Sequence, residues 1–362
     1  MTSVFEHPFL GSLFGDRQVA EFWSEKQQLE HYRAFECALA RAVEDAGLVP
    51  EGVGKQAAEK IAGATTDITR LAKNTGRDGV PIPDFVRQLK EQIPQNDAVH
   101  FGATSQDVMD TSLSLTLQAQ NTCLLERLDA LDHEISGLKD TFGTAPLMAR
   151  TRMQAAQPIL VPDRLEVWKS ALQNQSMSLS KMKQQVEKLQ LGGAVGTRSA
   201  YGSTAEQIVQ HMAETLNLAP CPVWHADRGA LAHYAGTLSG ISGACGKIGQ
   251  DICLMAQQGV DEIALANGGS SSAMPHKSNP ILAELLVTLA RFNATQIAGM
   301  HQALLHEQER SGSAWMLELM ILPQMSVTTG RALSACSELL SQVRRIGDNG
   351  SVDPINDTNP KT

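Results

Sequence analysis

The sequence predicts an all-α fold: a bundle of long helices with a small helical domain at its N-terminus. Apolar residues recur three or four positions apart over long stretches, and no convincing strand alternation appears in the first third. The 362 residues suffice for a large core and suggest roughly two domains. We predict an N-terminal helical domain over 1–107, a long-helix domain over 108–345 and a disordered tail over 346–362, where Gly, Asp, Asn and Pro are frequent.

The helical periods follow one another along the chain. Residues 16–47 carry an amphipathic pattern that ends at Gly47 and Pro50, and shorter patterns cover 54–62 and 85–92. Longer ones run from Leu113 to Ile135 and from Pro162 to Leu191. Residues 227–265 form the longest, a predicted rod of roughly 50 Å. Its glycines, three or four apart, predict a seam where another helix packs closely, in an oligomeric bundle.

The charge, the cysteines and the lengths of the apolar stretches indicate which partners the protein can bind. A formal charge of -9 argues against nucleic acid or an acidic membrane surface as the main partner, because both select basic faces. The six cysteines include no CxxC pair and no His/Cys/Asp cluster has ligand spacing, which predicts reduced core cysteines and no metal or organic cofactor. No stretch approaches the ~20 apolar residues that cross a bilayer, and no export signal is evident. We therefore expect a cytoplasmic protein with no membrane partner.

A loop rich in glycine and serine, residues 268–280, stands ahead of a predicted helix. Asn279 has the form of an N-cap and Pro280 that of a first helical residue, since apolar residues recur at helical spacing from Ile281. The free N–H groups of that helix end and the charge of Lys277 suit a carboxylate or a developing oxyanion. The loop is a candidate active-site loop, although a Ser/Gly linker with an ordinary cap explains the spacing equally well.

A second polar segment, 100–107, also leads into a long helical pattern. Thr104, Ser105 and Gln106 offer hydroxyl and amide groups at the start of that helix, and Asp107 can cap it. Capping alone explains such a cluster as well as ligand binding does.

Both segments resemble signature blocks of the fumarase/aspartase (argininosuccinase) superfamily. Residues 270–280 resemble its GSSxMPxKxNP signature with Ser270 in place of the glycine, and the second segment resembles the block whose Thr-Ser pair binds a substrate carboxylate. The resemblance implies catalytic roles for Ser271 and Lys277 and a substrate contact for Asn279. It also implies that Thr104, Ser105 and Gln106 bind substrate.

Residues 149–158 resemble a third block, which reads Thr-His-x-Gln in fumarases, argininosuccinate lyases and adenylosuccinate lyases. Arg152 stands here in place of the histidine. An arginine does not titrate near neutrality, so it can hold an anion but cannot usefully donate a proton. We expect Arg152 and Gln154 to bind substrate, with Glu284 orienting Arg152. A purely structural ion pair is the alternative.

The arginine points away from lyases that need the histidine and toward the cycloisomerising branch of the superfamily. That branch implies an enzyme that adds one carboxylate of a small tricarboxylate substrate across a C=C bond of the same molecule. The resemblance further implies a homotetramer with active sites shared between subunits, and a third family domain that is largely absent here. Two alternatives stay open: another superfamily lyase, such as adenylosuccinate lyase releasing fumarate, and a non-enzymatic relative that keeps only the bundle.

Overall fold

The computed structural model describes residues 3–266, 268–269 and 278–348, and α-helices dominate these ranges. Long helices form the bundle: α7 (Ser105–Phe142), α8 (Val161–Val186), α10 (Gly229–Met255), α11 (Ile281–Gln302) and α12 (Ser313–Ser341). The shorter ones are α1 (Gly11–Phe14), α2 (Arg17–Phe22), α3 (Glu25–Asp45), α4 (Val53–Gly63), α5 (Ile68–Asp78), α6 (Ile82–Gln92) and α9 (Ala205–Leu216). The pattern over 16–47 is therefore two helices: α2 ends at Phe22 with Trp23 as its C-cap, and Ser24 caps α3 by accepting from the Gln27 amide.

Two small antiparallel sheets accompany the helices. Strands β1 (Pro146–Thr151) and β2 (Gln154–Leu160) form a hairpin directly after α7, and β3 (Ile263–Leu265) pairs with β4 (Val343–Ile346). The third block, residues 149–158, thus lies on a hairpin. Ile346 is the last residue of β4, so the tail predicted to be disordered over 346–362 is ordered at least as far as Asp348, whose amide donates to the Pro146 carbonyl at 2.8 Å.

The lengths of two helices differ from expectation. The prediction that 227–265 forms the longest helix was wrong: α10 ends at Met255, because Gly259 at φ +86° and Asp261 at φ +50° turn the chain into β3. The longest described helix is α7, whose 38 residues span about 57 Å.

The long helices run between two ends of the bundle. At one end, which we call the Thr104 end, α7, α10 and α12 all begin, and ion pairs join Asp110, Arg228 and Glu318. At the other, the hairpin end, α7 finishes and the hairpin, β3 and β4 gather, with Gly347 N donating to Glu262 O. Helix α11 begins at the hairpin end, because its residue Ile281 packs on Gly269 beside β3.

Apolar side chains form two cores. One lies among the five long helices and includes Trp168 and Tyr234. The other joins α3, α4 and α6 to residues 189–218, including Tyr201 and α9. The predicted division of the chain at residue 107 stays a prediction.

Two of the α10 glycines account for close packing within the chain. A Cβ at Gly246 would lie 2.5 Å from that of Ala290, and one at Gly249 would lie 2.5 Å from the Ala283 carbonyl oxygen. The glycine row therefore lets α11 approach α10. Helix α11 is long and apolar enough, by length and composition alone, to cross a membrane, although we expected no stretch of that kind. Its buried side chains pack inside the bundle.

Candidate active site

Asp107 organises the start of α7. This fully buried carboxylate accepts hydrogen bonds from the backbone amides of Thr104 at 3.0 Å, Gly192 at 2.7 Å and Gly193 at 2.9 Å, and it lies 2.8 Å from His225 Nε2. The turn over 192–196, which contains Gly192, Gly193 and Gly196 and which we call the glycine-rich turn, is thereby fixed against the first turn of α7. Gly192 has to be glycine, because a Cβ there would lie 2.7 Å from the His225 ring.

Gln106 is the most enclosed of the three residues predicted to bind substrate at this end. Its side chain is fully buried, donates to the His225 carbonyl at 2.9 Å and accepts from Arg310 Nε at 2.9 Å. Thr104 is the N-cap of α7 and Ser105 its first residue, and both are half-buried. The contact of these three residues with substrate stays a prediction, and the geometry favours an indirect role for Gln106.

Arg310 also belongs to this end of the bundle, although the sequence did not predict it as a site residue. Besides Gln106, it contacts the Ala194 carbonyl at 3.2 Å, so one exposed cation links the start of α7, the glycine-rich turn and the segment between α11 and α12. A signal existed in the polar run 306–313 directly after an apolar helix. His225 had no comparable signal, because its role depends on a contact 118 residues away.

A buried ionic network supports this end of the bundle. The Arg228 guanidinium, 2% exposed, binds Asp110 at 2.7 and 3.0 Å and Glu318 at 2.5 to 3.2 Å, and it stacks on Trp224. Burial alone raises the pKa of Glu318, but the nearby His306, whose Nε2 lies 3.6 Å from Oε1, and the hydrogen-bonded Arg228 guanidinium lower it below its usual range. Glu318 thus holds α12 to the N-cap of α10 as an ion, and Asp110 joins α7 to the same guanidinium.

The hairpin end carries the third block. Arg152 and Met153 form the tip of the hairpin at φ +49° and +67°, a conformation that non-glycine residues seldom adopt. Arg152 and Gln154 are exposed, whereas neighbouring Arg150 pairs with the buried Glu262. The hairpin therefore projects an arginine with no ion-pair partner among the described residues.

The glycine- and serine-rich loop is only partly described. Ser271 and Lys277 lie outside the described residues. Asn279 forms an extended bridge with Gly269, with backbone hydrogen bonds of 2.8 and 3.1 Å, so Pro280 is the N-cap and α11 begins at Ile281, one residue later than predicted. Glu284 is exposed and makes no ion pair with Arg152 within this chain's described part, so their pairing stays a prediction.

Distances within one chain separate the blocks. Thr104 precedes α7 and Arg152 lies on the hairpin that follows it, at opposite ends of about 57 Å of helix. Asn279 lies at the hairpin end. A site that uses the first block together with the other two therefore needs a second chain. No group of three His, Cys, Asp or Glu side chains that could hold a metal occurs in the described ranges.

Comparison with known proteins assigns the family. The sequence profile described as lyase matches residues 6–299, which is most of the chain. The chain belongs to this lyase family. Over 349 residues it is 32% identical to the 3-carboxy-cis,cis-muconate cycloisomerase of Bradyrhizobium diazoefficiens, covering 92% of this chain and 76% of the relative.

Other members of the lyase family share the fold or the sequence. The crystal structure of the 3-carboxy-cis,cis-muconate lactonizing enzyme from Pseudomonas putida matches with a TM-score of 0.85 and 30% identity, covering 93% of this chain and 77% of that one. The N-acetyl-S-(2-succino)cysteine lyase of Enterococcus italicus is 27% identical over 353 residues, covering 93% and 75%. The predicted all-α fold and the predicted superfamily are confirmed.

Proposed function

We propose that this chain is an enzyme, a cycloisomerase that converts 3-carboxy-cis,cis-muconate to 4-carboxymuconolactone in the catabolism of aromatic compounds through protocatechuate. Support comes from the 32% identical relative of that name and from the lactonizing enzyme that shares the fold. The observation that carries the proposal is Arg152, an exposed and permanently charged side chain where related lyases have a histidine.

An arginine suits this reaction because the attacking group requires no proton from an acid. A lyase that expels a neutral group benefits from an acid that protonates the leaving atom. In lactone formation a carboxylate oxygen is itself the nucleophile, and it attacks as an anion without gaining a proton. A cation that holds this carboxylate near the double bond is then more useful than an acid, and Arg152 can bind it with two parallel hydrogen bonds.

The addition creates charge that the site must stabilise. As the C–O bond forms, the π electrons of the conjugated C=C bond move onto the neighbouring carboxylate group and give an aci-carboxylate carbanion. One proton added to carbon completes the lactone. Lys277, Asn279 and loop amides are assigned to the developing charge, where one preorganised donor is worth about 3 kcal/mol, and Ser271 is assigned to the proton transfer.

The two ends of the bundle support a shared site. Because the first block and the third block lie at opposite ends of α7, we propose a homotetramer in which antiparallel neighbours bring these ends together around the substrate. A small tricarboxylate would then meet the α7 N-terminus from one chain and Arg152 from another. We propose a cytoplasmic location, since the substrate is an intermediate of aromatic catabolism.

A second candidate is another lyase of the superfamily, such as adenylosuccinate lyase releasing fumarate. The 27% identity to the N-acetyl-S-(2-succino)cysteine lyase supports this second candidate. The missing Thr-His pair counts against it. A non-enzymatic relative is less well supported, because Ser271, Lys277 and Asn279 are all present.

One assay separates these candidates. Purified protein is given 3-carboxy-cis,cis-muconate, adenylosuccinate or argininosuccinate in parallel, and ultraviolet absorbance follows the loss of the conjugated diene or the formation of fumarate. We expect turnover of the muconate alone, and a lactone by NMR. Fumarate release from either succinate adduct would replace the proposal with the second candidate, and inactivity on all three would favour the third.

A further inference from the structure

His100 forms a buried pair with a carboxylate next to the first block. Its Nδ1 lies 2.6 Å from Glu36 Oε1, and its backbone N–H donates to Glu36 Oε2 at 2.8 Å. Glu36 is fully buried in α3, whereas 17% of the His100 side chain is exposed. Because Nδ1 faces the buried carboxylate, the exposed part of the ring is its Nε2 side. No residue in the described ranges hydrogen-bonds Nε2.

The backbone around this ring is held in an unusual conformation. His100 has φ +58°, a strained angle for a non-glycine residue that persists only where the surroundings enforce it. Here Glu36 binds its amide, and the buried Tyr201 hydroxyl donates to the Phe101 carbonyl at 3.0 Å. Gly102 packs so closely on Ala200 that a Cβ would lie 2.7 Å from that residue's own. The segment thus presents the ring four residues before the α7 N-cap.

Charged groups on every neighbouring element act on the ring. Burial lowers the pKa of His100, but Glu36 on α3 and Asp107 on α7 raise it, and Lys90 on α6 lowers it slightly; the outcome is a pKa above the usual 6.5. Tyr201 stays neutral, because burial raises its own pKa. With Nδ1–H given to Glu36, the protonated ring presents Nε2–H as a charged donor.

We propose that the His100 imidazolium, oriented by Glu36, binds a substrate carboxylate together with Thr104 and Ser105, and makes substrate affinity depend on pH. The inference rests on the proposed function for the identity of the substrate. Its chemistry is a carboxylate accepting from Nε2–H beside the positive end of α7. A tricarboxylate needs several such cations, and the His100 cation loses its charge when the ring is deprotonated.

The sign of the pH effect follows from the direction of the pKa shift. Below pH 6.5 the ring is charged and holds the carboxylate. As pH rises through the elevated pKa of His100, the ring becomes neutral and its charge-assisted hydrogen bond is lost. Substrate affinity therefore falls as pH rises, by about tenfold or more for one such bond, while the chemical step at saturating substrate does not depend on it.

Calorimetric titration with tricarballylate, a saturated tricarboxylate that cannot lactonise, tests this on the intact oligomer. We expect wild-type affinity to fall at least about tenfold from about pH 6 to about pH 9, and His100→Gln to bind weakly at both values. His133→Gln, at an exposed histidine on α7, should behave as wild type. Glu36→Gln keeps the ring but removes its partner, so the affinity loss should move to lower pH.

The outcomes separate this inference from the proposed function. Wild-type binding that is independent of pH, or absent, overturns the role of His100, as does unchanged pH dependence in a folded His100→Gln or Glu36→Gln protein. If His100→Gln does not assemble, the wild-type and Glu36→Gln titrations still decide. pH-dependent tricarballylate binding without turnover of carboxymuconate would leave the inference standing and remove the proposed reaction.

Discussion

Arg152 is the residue on which selectivity is expected to depend. Arg152→His restores the residue found in related lyases and removes a permanent cation from the hairpin tip. We expect the KM for carboxymuconate to rise sharply, because a charge-assisted fork worth about 1.5–3 kcal/mol is lost, with the oligomer intact. Steady-state kinetics and size-exclusion chromatography measure both quantities. Arg152→Lys, which keeps the charge but not the fork, should lie between the two; an unchanged KM in Arg152→His would assign the arginine a structural role only.

Ser271 is expected to act on the chemical step. If it transfers the proton, Ser271→Ala lowers kcat far more than it raises KM, because the interaction exists mainly in the transition state. Ser270→Ala is the matched control one position earlier and should matter less. Near-native kcat in Ser271→Ala would mean that the superfamily role does not transfer and that another group protonates the carbanion.

At the scale of helices, Arg228 joins α7 and α12 to the start of α10. Arg228→Met keeps most of the volume but leaves Asp110 and Glu318 buried without a counterion, which typically costs about 3–5 kcal/mol. Chemical denaturation should show that loss of unfolding free energy. Lys139→Met removes one member of an exposed pair with Glu166 and should leave the midpoint unchanged. Equal midpoints for the two variants would mean that the buried network does not stabilise the fold.

The contact between α10 and α11 gives a second test of packing. Gly249→Ala places a methyl group 2.5 Å from the Ala283 carbonyl oxygen and should destabilise by about 1–3 kcal/mol. Gly76→Ala, in an exposed helix position with open space around it, should stabilise by up to about 1 kcal/mol. Thermal unfolding of both variants compares them. A stable Gly249→Ala protein would show that the helices can separate at no cost.

Sequence periodicity predicted the long helices well because each has one apolar face against the bundle core. Periodicity did not predict the hairpin, where buried and exposed residues do not alternate along the strands. Nearly all of β2 is exposed, so its sequence shows no alternation of apolar and polar residues. The tip of the hairpin has positive φ at Arg152 and Met153, two residue types that do not indicate such a turn. Thr104, Asn279 and Glu284 could be named from motifs. His225 and the pair of His100 with Glu36 could not, because contacts of 64 or more residues' separation create them. For Arg310 the sequence offered only the polar run 306–313, which does not show its contact with Gln106.

At the scale of the whole molecule, the proposed shared site makes assembly testable. Four chains of 39.0 kDa predict a particle of about 156 kDa by light scattering. Thr104 lies at the Thr104 end of the bundle and Asn279, which belongs to the same signature block as Ser271, lies at the hairpin end, so a site that uses both blocks takes them from different chains. Mixing inactive Thr104→Val and Ser271→Ala proteins after mild dissociation should restore part of the activity. A mixture as inactive as its components would place both residues in a site built by one chain.

The length of α7 also bears on how such an enzyme behaves in a dilute cell extract. Under the proposed sharing of sites, one chain, whose half-sites lie about 57 Å apart, contains no complete catalytic unit, and folding alone yields no turnover. Activity per milligram then becomes a function of concentration, collapsing once dilution passes the dissociation constant of the assembly. A newly synthesised subunit is then inactive until it assembles with others, so the onset of metabolic flux depends on how many copies the cell has made.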